Sequence, residues 1–152
     1  MDKTIQAKIV LEISKIDTLI TKSGVLLSKC KIETPDFIEL NAIASILHSY
    51  YSGIESIFNM IYKACYGKTL SGNMWHSDLF TDMFAKTDKH NAVLPQELFV
   101  PLKEYLGFRH VFRHSYGYEL DWTKLSPLFS NLSENWKLVK LNIEHFIAQS
   151  LL

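Results

Sequence analysis

The 152-residue sequence has no excess of charge of either sign. Its 16 Lys and Arg residues balance its 16 Asp and Glu residues, so the formal net charge at pH 7 is zero. A free-standing protein that binds nucleic acid non-specifically normally carries a clear basic excess. The composition therefore disfavours that class, although it leaves room for a basic site confined to one part of the surface.

Cysteine, acidic clusters and long apolar runs are also scarce. The two cysteines, Cys30 and Cys65, lack the CxxC spacing of zinc and redox sites. No cluster of acidic residues is suited to hold Mg²⁺ for a two-metal nuclease, so we expect no metal. No apolar run approaches the ~18 residues of a membrane span, and the first residues lack a signal-peptide pattern. We therefore expect a cytoplasmic protein that is not associated with a membrane.

Arginine is scarcer than lysine and is confined to one place. All of the basic residues are lysines except Arg109 and Arg113, which are four residues apart. The guanidinium group is a planar fork that binds phosphate or carboxylate in a way that lysine cannot. This distribution indicates an anion-binding function near Arg109 and Arg113, with a coincidence of composition as the alternative.

Apolar residues recur at helical spacing along most of the chain. The first predicted helix covers residues 2–30. The second covers residues 35–66, because Thr34 suits the N-cap, Pro35 suits the first position and Gly67 suits the end. Two long helices joined by so short a turn form an antiparallel hairpin.

Further helices are predicted after this hairpin. They cover residues 75–86 and 95–115, with a polar loop between them and a break at Gly117. A last helix extends to Phe146 and begins at an Asp121 or Thr123 cap, or instead at Ser126-Pro127. No alternation of period two indicates a strand. The prediction is a single all-α domain over residues 1–152, an antiparallel bundle of four to five helices.

The segment 107–122, GFRHVFRHSYGYELDW, contains the densest group of reactive side chains. Arg109, His114 and Tyr116 form the pattern R-x-x-x-x-H-x-Y. A neutral histidine can accept the proton of a ribose 2′-OH, and an arginine can stabilise the charge that builds on the attacked phosphate. The pattern suits metal-independent cleavage of RNA. The alternative is that His114 only caps a helix end.

The spacing of these residues has a consequence for their geometry. Arg109, Arg113 and Tyr116 are four and three residues apart, so we expect them to share one helix face. His114 is five residues from Arg109, about 140° around the helix. The two can meet at one phosphate only if the helix end deforms near Gly117 or if a second subunit completes the site. This predicts a homodimer with its site at the interface.

The sequence as a whole resembles the HEPN superfamily and, within it, the HepT-like toxins. The R-x-x-x-x-H-x-Y pattern of Arg109, His114 and Tyr116 is the signature of that group. The block LHSYYSGIE at residues 47–55 and the pair Trp75-His76 with Asp78-Leu79 after it are also similar to one HepT-like subgroup. These matches extend over nearly all of the predicted helices.

The resemblance implies a specific function. Such toxins are homodimeric, metal-independent ribonucleases that need no cofactor, and Arg109 would pair with His114 across the dimer cleft. The usual target is RNA of the translation machinery, prominently tRNA. The antitoxin partner is a minimal nucleotidyltransferase that transfers AMP from ATP, here onto Tyr116. The alternative within the superfamily is a non-catalytic, nucleotide-binding companion of a nucleotidyltransferase.

Several neighbouring residues are candidates for contacts with RNA or a partner. His110 and Arg113 could bind phosphates or lie on a solvated helix face. Tyr118 could stack on a base or accept modification, or it could pack within the fold. Trp75 and His76 could contact RNA or a partner, with a core tryptophan beside an exposed histidine as the alternative.

A polar stripe follows one side of the second predicted helix. It could line the cleft, or it could be the wet side of that helix. It consists of His48, Ser52, Glu55, Asn59 and Tyr62.

Overall fold

The computed structural model describes residues 1–150, and that part of the chain folds as an all-α bundle. Its helices are α1 (Lys3–Cys30), α2 (Phe37–Tyr66), α3 (Trp75–Met83), α4 (Phe99–His114), α5 (Trp122–Ser130) and α6 (Leu132–Gln149). Short 3-10 turns at Gln96–Leu98 and Gly117–Glu119 precede and follow α4. The predicted class is confirmed. None of the described helices is both long enough and apolar enough to cross a membrane.

The hairpin of α1 and α2 has the predicted form, with one difference at the start of α2. Asp36, not Thr34, is the N-cap, because its carboxylate accepts the backbone N–H of Glu39 at 2.8 Å. The Glu39 side chain accepts the N–H of Asp36 in return, which completes a capping box. Pro35 therefore precedes the helix. Gly67 ends α2 as predicted, in the left-handed conformation with φ of 69°.

Helix α2 is the centre of the bundle and contacts α1, α3, α4 and α5. The apolar residues that recur at helical spacing along α2 are buried except for the last of them, Ala64, which is partly buried; the buried ones are Ile43, Leu47, Tyr50, Ile54, Ile57 and Ile61. Gly53 lets α1 approach closely, because a Cβ at this position would meet Ile16 Cγ1 at 2.9 Å. The central position of α2 allows residues on its other face to reach both α3 and α4.

The helices in the second half of the chain end differently from the prediction. Helix α3 stops at Met83, where the prediction had extended it to Lys86. Helix α4 follows the Gln96–Leu98 turn and ends at His114, because Ser115 adopts an extended conformation. The break thus precedes Gly117. This glycine packs directly on the Asn41 side chain, and a Cβ would overlap it.

The last predicted helix is divided at Asn131 into α5 and α6, so the described residues form six helices. Asp121 is the N-cap of α5, and its carboxylate accepts the N–H of Thr123 at 2.9 Å. The alternative start at Ser126-Pro127 is wrong, since Pro127 lies inside α5. A proline in a helix interior removes one backbone donor.

Asp17 joins α1 to α6. Its carboxylate accepts hydrogen bonds from Trp136 Nε1 at 2.8 Å and from Lys140 Nζ at 2.7 Å. Burial favours the neutral acid, but these two hydrogen bonds and the charge of Lys140 outweigh burial, so the pKa of Asp17 lies below its usual value. Helix α2 is joined to α6 by a buried hydrogen bond, which the Tyr50 hydroxyl donates to Asn135 Oδ1 at 2.6 Å.

The lowered pKa of Asp17 predicts a pH dependence of stability. A carboxyl whose folded-state pKa is depressed stabilises the fold above its unfolded-state pKa of ~3.9, and the contribution is lost as the pH falls through the folded-state pKa. We expect Asp17→Asn to flatten the stability profile below about pH 5. Since the Asp17 side chain is 42% exposed, the difference should not exceed about 1 kcal/mol.

Urea unfolding at a series of pH values measures this difference. Asp78→Asn is the matched control, because Asp78 is exposed and has no side-chain hydrogen bond within residues 1–150. Equal losses of stability on acidification in the wild type and in Asp17→Asn would contradict the prediction.

Candidate functional site

Arg109 lies on α4, and its guanidinium points into the bundle. The side chain is only 11% exposed. Its Nη2 lies 3.4 Å from Glu55 Oε1, and its Nη1 lies 3.4 Å from His76 Nε2. Its Nε is buried without a hydrogen-bond partner in the described part of the chain. Arg109 therefore retains donor capacity that the bundle itself does not use.

Glu55 and His76 complete a cluster with Arg109, here called the Glu–His–Arg cluster. The Glu55 carboxylate is 8% exposed, and its Oε2 lies 2.7 Å from His76 Nδ1. A buried carboxylate needs a compensating cation and hydrogen bonds, which Arg109 and His76 supply. The cluster connects α2, α3 and α4.

The hydrogen bonds of the cluster select one tautomer of His76. A guanidinium has only donors, so His76 Nε2 must be the acceptor opposite Arg109 Nη1. A carboxylate has only acceptors, so His76 Nδ1 carries the hydrogen and donates to Glu55. The contact with Glu55 therefore fixes the orientation of the His76 ring. The ring of Trp75 lies against it, with centroids 3.5 Å apart.

A surface pocket of about 400 Å³ opens beside the cluster. Its lining includes His76, Arg109, His110 and Lys103, and none of its lining residues is Asp or Glu. Three elements contribute: the segment that precedes α3, α3 itself and α4. A concave site with two cationic side chains, Lys103 and Arg109, and no carboxylate in its wall favours an anion such as a phosphate.

The polar stripe of α2 is not the wet side of that helix. Glu55 and Tyr62 are buried, and the other three members are partly buried. His48 stacks on Phe112 of α4 with ring centroids 4.6 Å apart. Burial lowers the pKa of His48, and the charges of Arg109 and Arg113 lower it further. His48, the first residue of the stripe, therefore packs against α4 in the neighbourhood of Arg109.

His114 lies away from the Glu–His–Arg cluster. It is exposed at the end of α4, and its ring contacts that of His110 with centroids 4.7 Å apart. Helix α4 is continuous from Arg109 to His114, so the helix end does not deform to bring the two side chains together. Their five-residue separation keeps them about 140° apart on that helix.

Tyr116 and Tyr118 lie beyond the end of α4. The predicted shared face of Arg109, Arg113 and Tyr116 is wrong, because the helix ends before Tyr116. Of the two arginines, Arg109 is nearly buried and Arg113 is exposed on α4. Tyr116 is 69% exposed and Tyr118 is 73% exposed. Their rings are nearly parallel, 6° apart in orientation, with centroids separated by 5.5 Å. The two tyrosines offer an exposed aromatic surface.

The structure thus divides the predicted residues into two groups. His76, Arg109 and His110 line the pocket, with Trp75 against His76, whereas Arg113, His114, Tyr116 and Tyr118 are at the exposed end of α4 and the turn after it. Among residues 1–150, no three His, Cys, Asp or Glu side chains are grouped so as to hold a metal ion.

Two features of the site were outside the sequence prediction. Lys103 was not singled out, although it lies six residues before Arg109 in the same predicted helix. Glu55 and His76 were noted separately, each with an alternative that left it exposed. Their contact depends on how α3 packs on α2, for which the sequence contains no direct signal.

Comparison with known proteins gives one match. A family model described as HepT-like protein matches residues 42–150, well over half of the chain. The match begins within α2 and includes Glu55, His76 and the whole R-x-x-x-x-H-x-Y segment. A search of curated proteins and a search of solved structures found no match.

Proposed function

We propose, from the premise that this chain belongs to the HepT-like family of the HEPN superfamily, that it is a metal-independent endoribonuclease toxin. The observation that carries the proposal is the position of Arg109. This arginine of the R-x-x-x-x-H-x-Y pattern lies in the wall of a pocket that Lys103 also lines, and its buried Nε has no hydrogen-bond partner in residues 1–150. A phosphate of RNA is the anion that such a pocket would bind in a ribonuclease.

The proposed reaction is an internal transesterification. The ribose 2′-OH loses its proton and attacks the adjacent phosphorus, while the bond from phosphorus to the 5′-oxygen breaks. The products are a cyclic phosphate and a free 5′-OH. Arg109 stabilises the negative charge that builds on the phosphate oxygens, and His114 takes part in proton transfer. The proposed substrate is tRNA, as the resemblance implies.

The separation of Arg109 and His114 supports a homodimer as the active form. Because α4 holds the two side chains on different faces, one subunit does not present both to one phosphate. His114 is exposed and available to a second subunit, which would place it opposite Arg109 of the first. A cleft between two copies of this chain would then contain the complete site.

The proposed regulation is covalent. A partner nucleotidyltransferase would transfer AMP from ATP onto the Tyr116 phenol oxygen, which forms a bond to the α-phosphorus as pyrophosphate leaves. The exposed Tyr116 ring is accessible to such an enzyme. The added phosphate is negative and would lie just beyond the end of α4 that carries His114, so it would oppose binding of the RNA backbone there.

The proposal is tested by incubation of the purified protein with total tRNA in EDTA. We expect wild-type protein to cleave and to leave cyclic-phosphate ends. His114→Ala should lower the rate by about 10²–10⁴-fold, the contribution typical of proton transfer. His145→Ala is the matched control, because it removes an exposed histidine of α6.

The outcomes separate two functions. Cleavage by the wild type and by His145→Ala, with loss of cleavage in His114→Ala, supports the proposed ribonuclease function. The second candidate is a non-catalytic companion of a nucleotidyltransferase, and the buried pairing of Arg109 with Glu55 favours it, because that pairing is also consistent with a structural role. Wild-type protein of unmodified mass that cleaves no RNA would support the companion.

A further inference from the structure

The proposed RNA cleavage requires two proton transfers, and one histidine cannot perform both at the same moment. One group must accept the proton of the 2′-OH, and another must supply a proton to the departing 5′-oxygen. In an in-line displacement these two oxygens lie on opposite sides of the phosphorus. A second proton-transfer group is therefore needed on the far side of the phosphate from His114.

His76 has the geometry of a general base. Its Nδ1–H donates to the buried Glu55 carboxylate at 2.7 Å, which fixes the ring and leaves Nε2 as the acceptor. A carboxylate that orients a histidine in this way also stabilises the imidazolium that forms when Nε2 takes a proton. The His76 side chain is 23% exposed and lines the pocket, so a substrate can reach it.

Arg109 places the phosphate beside His76. Its Nη1 lies 3.4 Å from His76 Nε2, so a phosphate that replaces this long contact would lie next to the acceptor nitrogen. Lys103 lines the same pocket and adds positive charge, and His110 lines it as well. The 2′-OH adjacent to that phosphate would then be within reach of His76.

We infer that His76, oriented by Glu55, is the catalytic base that activates the ribose 2′-OH. This inference rests on the proposed function and moves the base role from His114, where the sequence had placed it, to His76. The 2′-OH proton passes to His76 Nε2, the 2′-oxygen bonds to phosphorus, and the phosphorus–5′-oxygen bond breaks. A protonated His114 gives its proton to the 5′-oxygen. Each histidine then returns to its starting state by exchange with solvent.

The base and acid roles are distinguished by the leaving group. We would compare an RNA carrying the natural 5′-oxygen at the mapped cleavage position with one carrying a 5′-bridging sulfur there. A thiolate departs without a proton, so loss of the acid is compensated and loss of the base is not. His76→Gln is the principal variant, because an amide can still donate to Glu55 and accept from Arg109 but cannot shuttle a proton.

We expect His76→Gln to lose about 10²-fold or more in kcat on both substrates, whereas His114→Ala should lose activity on the oxygen substrate alone. Added imidazole should partly restore His76→Ala, which a purely structural role would not allow. Thermal unfolding of each variant verifies that it is folded.

Three results would overturn the inference, and they have different meanings. Full activity of His76→Gln beside an active wild type would remove His76 from the mechanism and leave the ribonuclease intact. Restoration of His76→Gln by the sulfur substrate would make His76 the acid. Wild-type protein that cleaves no RNA would overturn the proposed function together with this inference.

Discussion

Arg109→Ala is expected to lower the rate of the proposed tRNA cleavage by about 10²–10³-fold, the usual cost of removing one group that stabilises charge in the transition state. The same substitution leaves the Glu55 carboxylate buried without its cation, which typically destabilises a fold by about 3–5 kcal/mol. Activity and stability should therefore both fall. Initial rates in EDTA and urea unfolding measure the two effects separately.

Arg109→Lys separates the two roles of this side chain. A lysine keeps the positive charge beside Glu55, so we expect it to retain most of the stability. It lacks the planar fork, and we expect cleavage to stay low. Arg113→Ala is the matched control, since Arg113 is exposed on the same helix, and it should keep near-normal stability. Full activity of a folded Arg109→Lys would show that the fork geometry is not required.

Tyr116→Phe is expected to abolish the proposed neutralisation by a nucleotidyltransferase while the proposed cleavage continues. The substitution removes the phenol oxygen that would accept AMP, and the ring is 69% exposed, so the fold should lose little. Co-expression with the cognate antitoxin should leave growth inhibited, and intact mass should show no added AMP. Wild-type protein under the same conditions should be modified and harmless.

Tyr118→Phe is the matched control for this experiment. Tyr118 has nearly the same exposure and stacks on Tyr116, so its substitution changes the same surface without removing the motif hydroxyl. We expect it to be modified and neutralised normally. Rescue of Tyr116→Phe together with resistance of Tyr118→Phe would transfer the modification site to Tyr118.

The helices could be predicted because their signals are local. The apolar stripe of α2 and the glycine at its end depend on residues one turn apart, and the structure has both where the sequence indicates them. The errors in the helix bounds were also local in origin. At the start of α2, two adjacent capping signals competed, and Asp36 prevailed because Glu39 completes its capping box. At Asn131 the apolar spacing continues across a short break, so periodicity alone does not reveal it.

The sequence by itself determined that this is a helical protein with its arginines confined to one segment. It also determined the R-x-x-x-x-H-x-Y spacing that associates the chain with HepT-like proteins. Both properties follow from residue identity and from separations of a few positions, for which helical geometry is the same in every protein.

Only the tertiary structure decided which polar groups meet. Glu55, His76 and Arg109 are 21 and 33 residues apart, and no local rule relates such positions. Packing of α3 and α4 on α2 brings them within hydrogen-bond distance, because burying the apolar faces of these helices fixes their relative rotation. The same packing leaves His114 and Tyr116 exposed. The orientation of His76 and the charge of the pocket are therefore properties of the fold and not of any one segment.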